Sequence, residues 1–220
     1  MNEAHARVLA DAVARDFPRP GPLRHAIWTA PPALKIIDCV FSLNRRYDEF
    51  VVPRVAAFAE RYPEARSAAD LVDLIEAAPS PAVFTAEVLR VRDFSRARTL
   101  LGVARYAADA GAQCEGATED ERLGRWARWA RPGDFLAVGV PGFGLAGFQY
   151  LRMLFGAETA KPDVHVVRYV ADAIKHRVTE ARALYLLERA AELAGVPLRP
   201  LDVAIWEAGA KAAAARGATG

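Results

Sequence analysis

An all-α fold is predicted, on three observations. Apolar residues recur at helical rather than alternating spacing along most of the chain. Ala and Leu are abundant while strand-forming runs are few. Helix start and stop residues punctuate the apolar stretches. At 220 residues, with 53% hydrophobic and 25% charged side chains, the chain has material for one large domain or for two small lobes around a shared cleft.

The elements follow in order. Residues 1–17 read as a short helix with Val8, Leu9, Val13 and Phe17 apolar. Residues 18–32 carry Pro18, Pro20, Gly21, Pro22, Pro31 and Pro32, which reads as a linker or strap, with Thr29 as a helix cap at its end. From Ala33, the positions Leu34, Ile37, Val40 and Phe41 share one helical face, with Ile36 beside them. A break near Asn44–Asp48 precedes a helix towards Tyr62, with Pro53 early in it. Ser67 caps a helix through Leu71, Leu74 and Ile75, which the Pro79–Pro81 stretch ends. A shorter helix is expected at 82–91. Ser95 is expected to open another, through Leu100, Leu101 and Val103 to Gly111. Thr118 and Glu121 form a capping-box pattern for a segment to Arg131. After a glycine turn at 140–145, helices are expected through Phe148, Leu151 and Leu154; through Val166, Val170 and Ile174; over Glu180–Ala194, stopped by Gly195; and over Leu201–Ala215, started by Pro200. The domain expectation is one lobe at 33–161, and a second made of 1–32 plus 162–220.

The formal net charge of +2 does not announce a nucleic-acid binder. The positive charge is mostly Arg, however, which reads phosphates and base edges better than Lys. Net charge averages over faces, so a basic cleft is compatible with it. Cys39 and Cys114 are too few for a four-cysteine iron–sulfur site or a zinc knuckle, and are expected as reduced, buried thiols. No segment has a signal-peptide pattern and no apolar run reaches spanning length, so a cytoplasmic, non-membrane protein is expected.

The segment Val140-Pro-Gly-Phe-Gly-Leu145 opens an amphipathic helix. Glycines at alternate positions permit positive φ and remove side-chain bulk. Backbone N–H groups at a helix N-terminus favour an anion, and a phosphodiester fits that description. A plain turn between two core helices fits the spacing as well. Downstream lies Lys161-Pro-Asp-Val-His-Val-Val-Arg168. Asp163 is placed to cap a helix, and its carboxylate would accept backbone N–H bonds and stay ionised. A structural cap and a functional carboxylate are compatible roles.

Together these two stretches, in this order, resemble the hairpin and the Gly/Pro-rich aspartate loop of the helix-hairpin-helix (HhH-GPD) superfamily of DNA base-excision glycosylases, of the endonuclease III and 8-oxoguanine glycosylase kind. The Asp-Val-His run is most similar to the latter. Val40-Phe-Ser-Leu-Asn-Arg-Arg-Tyr-Asp48 sits where those families have a Leu-Ser-x-Gln segment. The resemblance spans roughly Ala33 to Val170. It implies an all-α, two-lobed fold with a helix-hairpin-helix motif, a DNA-binding cleft between the lobes, and a flipped target nucleotide. Asp163 would be the catalytic aspartate, stabilising the oxocarbenium-like sugar or helping to activate water. The family's lyase lysine is matched by Ala146, which has no nucleophile, so base release without strand cleavage is implied. Asn44 matches the glutamine that probes the gap opposite the flipped base.

The DNA-contacting set implied is Gly142, Phe143, Gly144, Leu145, Ala146, Asn44, His165 and Arg168. The partner would be double-stranded DNA carrying a damaged or mismatched base, bound by a monomer. No iron–sulfur cluster or other metal is implied beyond a monovalent cation at the hairpin backbone. A non-catalytic helix-hairpin-helix DNA-binding protein is the alternative.

Other residues carry two readings each. His165 is a structural histidine or a phosphate contact. Arg168 pairs with Asp163, grips DNA, or makes a surface salt bridge. Arg122, Arg125, Arg128 and Arg131, with Trp126 and Trp129 between them, form a solvated face or a basic track along phosphates. Phe143, Phe148, Tyr150 and Tyr169 pack in the core or wall a flipped base.

Overall fold

The computed structural model describes residues 2–43 and 45–217. Its described residues form twelve α-helices and no strand, as the helical periodicity predicts. They divide into two compact units. One is His25–Ala157; the other joins the residues up to Arg24 with those from Glu158 onward. The chain passes between units at 24/25 and 157/158, where the sequence suggests 32/33 and 161/162.

The larger unit is built around α2 (Pro32–Phe41), which packs against several neighbours. The sequence suggests one apolar face. Instead nine of its ten residues are buried, Leu34 being the half-buried one. A helix hydrophobic nearly all round is a central helix, and its two charged residues are buried only because each is paired. Lys35 Nζ lies 2.6 Å from Asp120 Oδ1 and 5.0 Å from the Phe155 ring centroid. Asp38 accepts from two phenols, described below. Pro31 holds the N-cap position of α2, and Thr29 instead donates to the Ala26 carbonyl inside a short 3-10 turn (Ala26–Thr29). Proline's fixed φ suits a helix start, so no hydroxyl cap is needed.

A π-helical turn (Tyr47–Val51) leads into α3 (Val52–Arg61), with Pro53 in its first turn where a missing N–H costs nothing. Ser67 caps α4 (Ala68–Ala77) as expected, and the structure adds a full capping box: Ser67 Oγ accepts from Asp70 N, and Asp70 accepts from Ser67 N. After α5 (Pro81–Glu87), α6 (Phe94–Ala112) begins one residue earlier than Ser95 suggests, because Asp93 takes the cap and accepts from Arg96 N. The helix also runs through Gly111 to Ala112.

Thr118 caps α7 (Glu119–Trp129), but the box is incomplete: Glu121 reaches back to the Ala117 amide, not to that of Thr118. A short α8 (Phe135–Val138) ends at Gly139, in the left-handed region at φ 64°. The unit closes with α9 (Leu145–Leu154), buried along most of its length.

In the smaller unit, α1 (Asn2–Asp16) buries Ala6, Leu9, Ala10 and Val13 against α11 (Glu180–Ala194), and Val8 points outward. Alanines on both helices allow close approach: Ala183, Ala190 and Ala191 are buried on α11. Also in this unit, α10 (Val164–Ile174) sits on α1, on α11 and on α12 (Leu198–Gly217). Gly195 ends α11 in the left-handed conformation at φ 66°, as its position predicts. The last helix starts three residues before Leu201, with Pro200 in its first turn.

Candidate functional site

The glycine turn and the Asp163 loop belong to different units, and each is built from local rules.

In the larger unit, Phe143 N–H donates to the Val140 carbonyl at 3.1 Å across Pro141 and Gly142. Gly142 has φ 79°. Proline at the second position and a left-handed glycine at the third make the type II pattern. Gly142 therefore needs its positive φ. Gly144 does not: it is the N-cap of α9 with φ −92° and ψ −167°, allowed to any residue. What Gly144 contributes is space, since a Cβ there would meet no atom within 4 Å. No side chain caps α9, so its first-turn amides lack a side-chain acceptor.

Neighbouring elements hold this turn. Thr99 Oγ1 on α6 donates to the Pro141 carbonyl at 2.9 Å. The Phe143 ring folds back over Gly147, where a Cβ would come within 2.9 Å of it. Phe143 and Leu145 are therefore core side chains, while Gly142 and Gly144 are exposed and Ala146 is half-buried. The Val140 and Pro141 carbonyls thus accept from Phe143 N–H and from the Thr99 hydroxyl.

Asn44 lies outside the described residues. Its neighbour Leu43 comes to the start of α9, with a methyl 3.3 Å from the Cβ position of Gly147. Arg96 pins the same stretch by donating to the Val40 and Leu43 carbonyls at 3.1 and 3.0 Å.

The anchor of α9 is a buried carboxylate that the sequence does not single out. Asp38 Oδ1 accepts from Tyr150 Oη and Oδ2 from Tyr47 Oη, each at 2.7 Å. Burial first, and the Asp38 charge second, push both phenols above their ordinary range, so they stay neutral donors. Tyr150 and Phe148 are thus core residues, not walls of a base pocket. Cys39 is buried and its Sγ contacts the Gly147 carbonyl at 3.3 Å, whereas Cys114 is half-buried.

In the smaller unit, Lys161-Pro162-Asp163 makes a three-residue turn: Asp163 N–H donates to the Lys161 carbonyl at 2.7 Å. The ring of Pro162 presets the φ that such a turn uses. Asp163 then caps α10 as expected, its Oδ1 accepting from His165 N at 2.8 Å and Val166 N at 3.3 Å. Among the described residues no donor reaches Oδ2, and Asp163 is half-buried. One oxygen is fixed while the other is open, at the positive end of an 11-residue helix.

His165 is half-buried with its ring against α12: a Cβ on Gly209 would lie 2.3 Å from Nδ1, so only glycine fits beneath it. That packing favours the structural reading of His165. Its Nδ1 is buried with no partner among the described residues. Arg168 is exposed and makes no ion pair with Asp163 among the described residues. Tyr169 packs edge-on against Phe17 at 5.5 Å and donates to Asp16, away from any base-stacking role.

The arginine run on α7 is mostly a solvated face. Arg125 pairs with Glu115 at 3.4 Å and Arg122 donates to the Gly116 carbonyl at 3.3 Å. Trp126 belongs to the core, and Trp129 is 85% exposed.

Asp202 on α12 completes this neighbourhood. It is buried, and its Oδ1 accepts from Lys161 N at 2.8 Å. Its sequence signal is an acid on an apolar helical stripe, since Leu198, Leu201 and Ile205 bury beside it at helical spacing.

Among known families, residues 135–210 match the model of one described as a Domain of unknown function (DUF8548), a stretch that contains the glycine turn, Asp163 and Asp202. No curated protein and no solved structure matches the chain. Among the described residues, no helix is long and apolar enough to cross a membrane.

Proposed function

We propose that this chain is a monofunctional DNA glycosylase of the helix-hairpin-helix kind, acting on a flipped damaged or mismatched base in duplex DNA. The observation that carries the reading is the Asp163 carboxylate, with Oδ1 tied to two amides of α10 and Oδ2 open. A fixed anion beside the sugar stabilises the positive charge that develops at C1′ as the C1′–N bond breaks. The electron pair leaves with the base; water adds its oxygen to C1′, and its proton is released to the departing base or solvent. Neither a capped helix nor an open oxygen requires binding energy to be spent at the moment of reaction. The exposed Gly142 and Gly144 and the uncapped amides of α9 support a sequence-independent grip on the phosphodiester backbone. The direct assay is base release from a panel of damaged-base duplexes, read by hot-alkali cleavage at the abasic sites. Duplex binding with no release from any lesion would move the chain to the non-catalytic alternative.

The turn supplies its own test. Gly144→Val meets no atom in the fold and an allowed backbone, so the variant should fold like wild type. Its affinity should nevertheless fall about tenfold for all duplex sequences alike, because the side chain blocks close approach of phosphate. Wild-type affinity should fall with added salt. An unaffected Gly144→Val, or salt-insensitive binding measured by fluorescence anisotropy, removes the turn from the interface.

Strand cleavage should be absent. A Schiff base needs an amine at C1′, and position 146 is alanine. Two lysines flank Asp163: Lys175 closes α10 about 18 Å away, given 12 residues at about 1.5 Å each, and Lys161 stands in the turn itself as the rival amine. Borohydride should therefore trap no covalent adduct on a duplex from which base is released. A trapped adduct would return the chain to the bifunctional class.

A further inference from the structure

The Asp163 carboxylate stands at the end of a hydrogen-bonded chain that starts inside the fold. Asp202 sits in the second turn of α12, between the buried Leu198, Leu201 and Ile205. Its Oδ1 accepts from Lys161 N–H at 2.8 Å. The Lys161 carbonyl accepts from Asp163 N–H at 2.7 Å. Asp163 Oδ1 accepts from His165 N–H and Val166 N–H. The Asp163 carboxylate can rotate only by breaking its bonds to the first-turn amides of α10, while its backbone is held to Lys161. Pro162 between them is buried and has no N–H of its own to offer.

We propose that Asp202 is the positioning residue of the Asp163 site: a buried carboxyl that holds the Lys161–Asp163 turn in register and thereby aims Asp163 Oδ2. The inference rests on the reading of Asp163 as the group that acts on DNA. Asp202 touches neither DNA nor the reacting atoms.

Its electrostatics suit the role. Burial first, and the charge of Asp163 second, push Asp202 up to about 8, against the opposing pull of the Lys161 hydrogen bond and charge. Asp202 is therefore largely protonated at neutral pH. Two carboxyls whose surroundings separate their protonation states can serve as one structural acid and one working anion. The charged groups that act on Asp202 are Asp163 and Lys161 from the turn; Glu158 is engaged at the start of α12, accepting from the Leu198 and Arg199 amides. The sign follows from a folded value above the ordinary 3.8: this group's contribution to stability is fully present below about pH 4 and is lost progressively as the pH rises to about 8.

The test uses the full chain and two substitutions. Asp202→Asn keeps an oxygen for Lys161 N–H and removes the titration; Asp202→Ala removes both. In wild type the backbone amide signals of Lys161 and His165, followed by NMR from pH 5 to 10, should move together with a midpoint near 8. In Asp202→Asn they should stay in place and stop titrating. Asp202→Ala should slow single-turnover base release about 10- to 100-fold, the scale of a misplaced catalytic group, with duplex affinity within about twofold. Asp202→Asn should retain most of the rate. The proposal is overturned if the Lys161 amide does not titrate, if the titration survives in Asp202→Asn, or if a folded Asp202→Ala releases base at the wild-type rate. Failure of wild type to release any base would sink the Asp163 reading instead, and the amide titration would still decide whether Asp202 holds the turn.

Discussion

Asp163→Asn should abolish base release, by at least about a hundredfold in single-turnover rate, while leaving duplex affinity within about twofold. The size is that of removing one preorganised charged partner of a developing transition-state charge. The substitution is clean for a reason visible in the fold. Asn is as good an N-cap as Asp, so its side-chain oxygen continues to accept from His165 N and Val166 N, and unfolding free energy should change by less than about 0.5 kcal/mol. Asp163→Ala makes the contrast: it loses the cap, at about 1 kcal/mol, as well as the charge. Chemical denaturation and base release measured on all three proteins separate the two roles. If Asp163→Asn releases base at the wild-type rate, the carboxylate is a cap and nothing more, and the glycosylase reading falls with it.

The largest loss of stability should come from the core of the larger unit. Asp38→Ala deletes the acceptor of two phenol O–H groups inside a helix buried on nearly all sides. Removing one partner of a buried charged hydrogen bond costs more than the bond is worth, because the remaining polar groups keep their desolvation penalty. With two phenols affected, the expected cost is about 3–5 kcal/mol. Asp38→Asn keeps one acceptor oxygen and should fall between. Three of the four tryptophans, Trp28, Trp126 and Trp129, lie in this unit, so fluorescence in a urea titration reports its unfolding. A loss below about 1 kcal/mol for Asp38→Ala would mean that the two phenols find other acceptors. Since Tyr150 is on α9 and Tyr47 opens the π-helical turn, the same substitution should loosen the Val140–Gly144 turn and raise amide exchange at the start of α9.

The fold class and most helices could be read from the chain because their causes are local. Ser67, Thr118, Asp163 and Thr179 each accept from an amide two or three residues on, and Gly195 ends a helix through its own φ. These are contacts within one turn, visible as spacing. Where the local rules competed, the sequence misled by a residue or two. Asp93 displaced Ser95 as a cap, since a carboxylate at the position before α6 accepts from Arg96 N just as a hydroxyl would. Thr29 was passed over because α2 starts later, with Pro31 at the N-cap and Pro32 supplying the fixed φ of the first helical residue. The candidate site was legible to the same depth: the turn glycines and the capping carboxylate are local devices, and their residues stand where spacing puts them.

Tertiary packing decided the rest. Asp202 meets Lys161 across 41 residues, and Tyr150 meets Asp38 across 112. No periodicity encodes which buried donor a buried acid will find. The exposed and buried halves of the turn were likewise settled by packing: Phe143 reads as a candidate contact in the sequence, but Gly147 leaves room for its ring and the core takes it. His165 turns onto Gly209 for the same reason, a vacancy one side chain wide on a helix 44 residues further along the chain. The sequence by itself determined the helices, their caps and the two motifs, because each is a matter of backbone within a few residues. Only the tertiary structure decided which side chains of those motifs stay open to a partner, because burial is assigned by whatever element comes to lie on top.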